Sequence, residues 1–205
     1  MRCDLRGKTA VVFLGICLFT WGGCASSRQA SFYTLSPLHA PGDQSGRVQT
    51  GQEVVVAVGP VTVPDYLDRP QIVTRTGPTG VHLDEFERWA GSFEQDISRV
   101  LAENLSVLLA TDNVTVVRWM RETTAFPAGY RVVIDVNRFD GDPGKSVFLA
   151  ARWSVRGEEP GEIVSAGESN ITEPVEGQGY DALVESMSRA LAVLAREIAA
   201  AIPVK

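Results

Sequence analysis

Hydrophobic and polar positions alternate with period two in some stretches of the chain and with helical spacing in others. Val54–Val58 (VVVAV) is a continuous apolar run flanked by turn residues, which predicts a central strand buried on both faces. In Tyr130–Phe139, Tyr130, Val132, Ile134 and Val136 fall on one face, with Arg131, Asp135 and Asn137 on the other. Val147, Leu149, Ala151, Trp153 and Val155 line one face of the next strand, and a weaker strand follows over Ile163–Ile171. The turns Gly141-Asp142-Pro143-Gly144 and Glu158-Glu159-Pro160-Gly161 make these three strands an antiparallel meander.

Helical spacing appears twice. Phe93, Ile97, Val100, Leu101, Leu105 and Leu108 form one stripe, behind Ser92 as N-cap with Gln95 three residues on, a capping-box pattern. Asp112-Asn113 marks its end. Val184, Met187, Leu191, Leu194 and Ile198 form the second stripe, within a helix over Tyr180–Ala201.

Shorter elements fill the gaps. Ser31–Leu35 reads as a short strand, Val114–Arg118 as another, and Met120–Gly129 as a loop. Residues 36–53, rich in proline and glycine, read as a flexible loop. Pro60, Pro64 and Pro70 should break regular structure, with Asp65-Tyr66-Leu67-Asp68 as a tight turn or single helical turn. Gln71–Thr74 and Gly80–Leu83 should pair as a hairpin across Thr76–Thr79, followed by a connector carrying Trp89. Two one-sided helices must cover a sheet. The expectation is a two-layer α/β (α+β) domain over 31–205, with a mixed, mainly antiparallel sheet of about five to seven strands and two long helices packed on one face.

The first residues belong to a different pattern. Arg2, Arg6 and Lys8 precede the apolar run Thr9–Thr20, which has the length of a signal-peptide core and is too short to span a bilayer. Gly22, Gly23 and Cys24 follow, as in a bacterial lipoprotein signal, with Trp21 where an aliphatic residue is usual. Residues 1–23 are then a removable signal, Cys24 the lipid attachment site and 24–30 a polar tether. Two or three acyl chains suffice for firm membrane attachment. Ala25 rather than Asp after the cysteine favours the outer membrane, on its periplasmic face.

This changes the remaining chemistry. Cys3 and Cys17 leave with the signal and Cys24 is acylated, so the mature domain has no thiol to pair and must rely on a packed core. Loss of residues 1–23 removes three basic residues and one acidic one, leaving 16 basic against 24 acidic, a net charge of −8. An acidic domain is poorly suited to nucleic acid. His39 and His82 are isolated, so no metal site is expected. Asp84, Glu85 and Glu87 beside Arg88 read as a solvated face rather than an acid/base pair. The chain contains no GxGxxG, P-loop or GxSxG pattern. No enzyme activity and no cofactor beyond the covalent lipid is expected.

Surface candidates are few. Asp68-Arg69-Pro70 fits either a docking feature or a local ion pair fixing a proline turn. Tyr66 and Leu67 lie at a turn tip between prolines. Trp89 fits either a partner anchor or a core plug under the hairpin, and Trp153 fits the core.

The run GPVTVPDYLDRPQIVTR from Gly59, DEFERWA from Asp84 and RVLAENLSVLL from Arg99 resemble the PqiC-type ABC-type transport auxiliary lipoproteins. YRVVIDVNRFDG, the later ARW, the helix SMSRALAVLAREIA and the lipobox followed by SFYTLSP match as well. The resemblance covers nearly the whole mature chain. It implies a docking subunit beside an MCE-type (mammalian cell entry) ABC lipid transporter, with an MCE-domain protein as partner. It is compatible with ring-like self-association as a homo-oligomer. The competing reading is a general structural envelope lipoprotein or assembly factor with no transport role.

Overall fold

The structure, a computed structural model, describes residues 28–38, 54–110, 114–119, 128–159 and 161–204. The signal segment, Cys24, residues 39–53, the helix stop at 111–113 and most of the 120–129 loop lie outside the described residues.

The strands are β1 (Ser31–Tyr33), β2 (Val54–Thr62), β3 (Gln71–Arg75), β4 (Val81–Trp89), β5 (Val114–Arg118), β6 (Tyr130–Asp142), β7 (Ser146–Arg156) and β8 (Ile163–Pro174). The helices are α1 (Phe93–Leu108) and α2 (Gly179–Ala201). All the strands join one eight-stranded sheet, one more than the upper expectation. The two helices pack on each other and on the sheet, giving the expected two-layer α/β domain with a mixed sheet.

β6 is the hub. Along one edge it pairs antiparallel with β7, which in turn pairs antiparallel with β8. Along the other edge it pairs parallel with β2 over its first half and with β3 near its end, where Thr74 meets Gly141. β2 and β3 thus act as two segments of one interrupted strand, with residues 63–70 looping out between them. β5 adds parallel to β2, β4 antiparallel to β3, and β1 parallel to β4 at the edge.

The core lies between sheet and helices. From β6 it takes Val132, Ile134 and Val136, then Phe139, with the parity change falling at a register shift between Val136 and Arg138. An extra residue in one strand re-aims every side chain after it. Trp89, Phe93 and Phe139 form an aromatic column through β4, α1 and β6, with ring centroids 4.5 and 5.5 Å apart. Such pairs stabilise by about 0.5–1.5 kcal/mol beyond the area they bury.

Three boundaries differ from expectation. β2 continues through Gly59-Pro60 instead of stopping there, and its pairing with β6 slips between Val58 and Val61. Proline has no N–H for a ladder, and the bulge places it where none is needed. β6 extends through Gly141 and Asp142, which had read as a turn. A Cβ on Gly141 would stand 2.9 Å from Leu183 Cδ1 of α2 and 2.8 Å from the Ser146 carbonyl, so glycine is there for close approach. The Trp89 connector is the end of β4.

Candidate functional site

The Pro64–Pro70 turn folds back on the sheet. Leu67 N donates to Pro64 O at 2.8 Å, and Trp89 N donates to Pro70 O at 2.7 Å. Leu67 is 2% exposed and belongs to the core, so it is not part of a surface tip. Tyr66 is half-buried, with its hydroxyl donating to Asp140 Oδ2 at 3.1 Å. Arg69 is also half-buried, and its Nε has no hydrogen-bond partner among the described residues. Trp89 is 5% exposed and stacked on Phe93, which makes it a core plug in this chain. Trp153 is partly buried against the core and donates to Ser169 Oγ, which in turn bonds Glu197 of α2.

Asp140 was not singled out by sequence. It is 0% exposed, on the sheet face away from the helices, because the bulge in β6 shifts the alternation. Arg75 Nε donates to its Oδ2 at 3.0 Å and Arg138 Nε to its Oδ1 at 2.9 Å. The Arg75 guanidinium also sits over the Tyr66 ring, and Arg138 over Phe148. Burial, then the Asp140 charge and hydrogen bond, pushes the Tyr66 phenol above its ordinary value. A carboxylate satisfied by two cations and a neutral phenol is a structural lock. It ties the 63–70 turn to β3 and β6, and it holds no spare base for chemistry.

A second polar cluster marks the β1 edge. Arg28 Nη2 donates to Glu87 Oε1 at 2.9 Å, and Tyr33 Oη donates to Glu87 Oε2 at 2.7 Å. Arg28 Nη1 also stands 3.5 Å from Asp84 Oδ2. Glu87 is buried, so Asp84–Arg88 is only partly the solvated face its charges suggest. Burial and the Glu87 hydrogen bond raise the Tyr33 phenol to about 12, so it stays protonated as a donor. The Tyr33 ring faces Tyr180 of α2 at 6.3 Å.

The segment after β1 is strapped across both helices. Leu35 N donates to Asp96 Oδ2 at 2.7 Å, and Arg99 Nη2 donates to Leu35 O at 2.7 Å. Ser36 N reaches Ser188 Oγ on α2 and Leu38 N reaches Asn104 Oδ1 on α1. Residues 36–38, expected within a flexible loop, are therefore fixed by backbone donors that find buried side-chain acceptors.

At the opposite end of the sheet an open cleft of about 510 Å³ is lined by Val54, Tyr130, Glu158, Glu159, Glu162 and Val164, among others. Ile163 beside it is 62% exposed. Among the described residues no group of His, Cys, Asp or Glu is arranged to hold a metal ion. Nor is any described helix long and apolar enough to cross a membrane.

Residues 33–199 match the family described as the ABC-type transport auxiliary lipoprotein component. That span runs from the end of β1 to the last turns of α2, and the chain belongs to this family. The fold is shared with a crystal structure titled only as an uncharacterized protein, at a TM-score of 0.68 and 20% identity over 84% of this chain and 98% of that one. It is shared also with a crystal structure from Xanthomonas campestris, at a TM-score of 0.61 and 16% identity over 83% and 93% of the two chains. No curated protein matches the sequence.

Proposed function

We propose that this protein is a lipid-anchored subunit of an MCE-type ABC lipid-transport complex. It sits on the periplasmic face of the outer membrane and docks to a periplasmic MCE-domain protein. The observation that carries this reading is the family match across 33–199, which takes in nearly all of the folded domain. Upstream of it stands a segment with the order of a lipoprotein signal, ending at Cys24. The structure adds a compatible physical picture: the titratable clusters are consumed in holding the fold together, and the exposed apolar residues sit at its ends. Acyl chains on Cys24 supply the membrane attachment, and the partner's ATPase supplies the energy.

The test is affinity capture of the full-length protein from solubilised envelopes, with partners identified by mass. An MCE-domain protein among them, absent from a control capture with an unrelated lipoprotein, is the expected result. A clean capture without any MCE or permease subunit would sink the reading. In the same strain Cys24→Ala should release the domain into the soluble periplasm or leave an unprocessed precursor. Continued fatty-acid labelling of that variant would place the anchor elsewhere.

A further inference from the structure

Arg28 is the first described residue, and it is held to the sheet edge by Glu87 and Asp84. Only four residue steps separate it from Cys24. At full extension they span about 14 Å. The headgroup layer on each side of a bilayer takes up roughly 7 Å of that. An acylated Cys24 therefore keeps Arg28 within about 7 Å of the membrane surface, little more than the spacing between neighbouring strands. Arg28 is paired with buried Glu87, so the short tether meets the domain at the sheet edge.

What this clamp presents to the membrane is β1. Its central residue, Phe32, alternates away from Tyr33, which faces α2, and is 63% exposed. A large aromatic side chain this exposed, four residues after the clamp, lies where an interfacial ring would be seated. The flanking charges are already paired: Arg28 with Asp84 and Glu87, and Arg88 with Glu85. Two guanidiniums thus offset most of the charge of three carboxylates, which lowers the cost of approach to the headgroups despite the acidic balance of the whole domain.

Resting on the reading of Cys24 as acylated, we propose that the β1 edge lies flat against the lipid bilayer that holds those chains, with Phe32 in the interfacial layer. The orientation this imposes is specific. β1 and β8 lie on opposite sides of β6, five strand spacings apart, roughly 24 Å across the sheet. The cleft with Ile163 and Val164 then stands clear of the membrane, toward the periplasm. The competing occupant is a second copy of this chain adding a strand to β1. A three-residue edge offers it little ladder.

The mature chain has no other cysteine than Cys24, so one introduced thiol can be labelled cleanly. Lipidated full-length Phe32→Cys and Ile163→Cys, each carrying a nitroxide, are reconstituted in phosphatidylcholine vesicles. Both sites are exposed, so folding should be unaffected. The expected result is that lipid-soluble oxygen relaxes the label at 32 more than a water-soluble nickel complex does, with the order reversed at 163. Protein that floats with the vesicles while the label at 32 behaves as aqueous overturns the proposal and leaves the anchor intact. A label at 32 shielded from both reagents, with dipolar coupling between labels, assigns the edge to a second copy and overturns it too. Protein that does not float at all removes the anchor, and the proposal with it.

Discussion

The meander and the tethered end of the sheet are built by different physics. β6, β7 and β8 are joined by long, nearly unbroken antiparallel ladders; β6 and β7 turn a mostly apolar face inward, and β8 adds Ile171 beside a buried, hydrogen-bonded Ser169. The other end, made of β1, β3, β4 and the 63–70 turn, has short strands and broken register. It is held by Asp140 under two arginines and a tyrosine, and by Glu87 under an arginine and a tyrosine. Burial of apolar area is non-directional and tolerates small shifts. A buried carboxylate with fixed donors does not, because losing one partner leaves a charge out of water. The meander therefore supplies stability, and the β1 end supplies a defined shape.

The contrast can be broken hardest from the core side. Phe139 is fully buried and closes the aromatic column with Phe93, so Phe139→Ala should cost about 3–5 kcal/mol. A fall of less than about 1 kcal/mol in urea unfolding would mean that the column is not a single packed unit. Asp140→Ala should cost less, about 3 kcal/mol, by leaving Arg75 and Arg138 beside an apolar site. Arg138 is partly exposed, which lets water take over part of that loss. The two substitutions differ in reach. The first should loosen the whole domain, whereas the second should raise hydrogen exchange chiefly in residues 63–75. Equal protection loss in β7 and β8 would erase the distinction between the two regions.

Periodicity made the first region legible and left the second dark. Val132, Ile134 and Val136, the stripe of α1 up to Leu105 and the stripe of α2 are buried as their spacing requires, and Ser92 caps α1. What the pattern missed begins at register shifts. The bulge after Val136 puts Asp140 on the outer face and Phe139 on the inner one. Alternation counted from Tyr130 carries neither fact. Prolines and charges around them make Leu67 a surface candidate and leave Trp89 open between anchor and core plug, yet long-range packing buries both. Glu87 looked solvated among its acidic neighbours, and its partners Arg28 and Tyr33 lie more than fifty residues earlier in sequence. The one local signal available was polar: an arginine in the tether and a tyrosine in the short strand that follows it.

The smallest expected effect tests the tethered end alone. Tyr33→Phe removes one hydrogen bond to Glu87, which keeps Arg28, so the cost near neutral pH should be about 1 kcal/mol. Its pH dependence is more telling than its size. Burial and the Glu87 bond raise the Tyr33 phenol from 10.0 to about 12 in the folded chain. The folded state then holds that proton more tightly than the unfolded one. Its contribution is complete below about pH 10 and is lost as pH rises through about 12. Tyr66 and Tyr180 are raised in the same direction, so the wild type loses stability to all three. In Tyr33→Phe only the other two remain. The gap between wild type and variant in urea midpoint should therefore narrow steadily above about pH 10. A gap that stays constant with pH would mean that the folded chain holds the Tyr33 proton no more tightly than the unfolded one, and that the Glu87 bond does not depend on it.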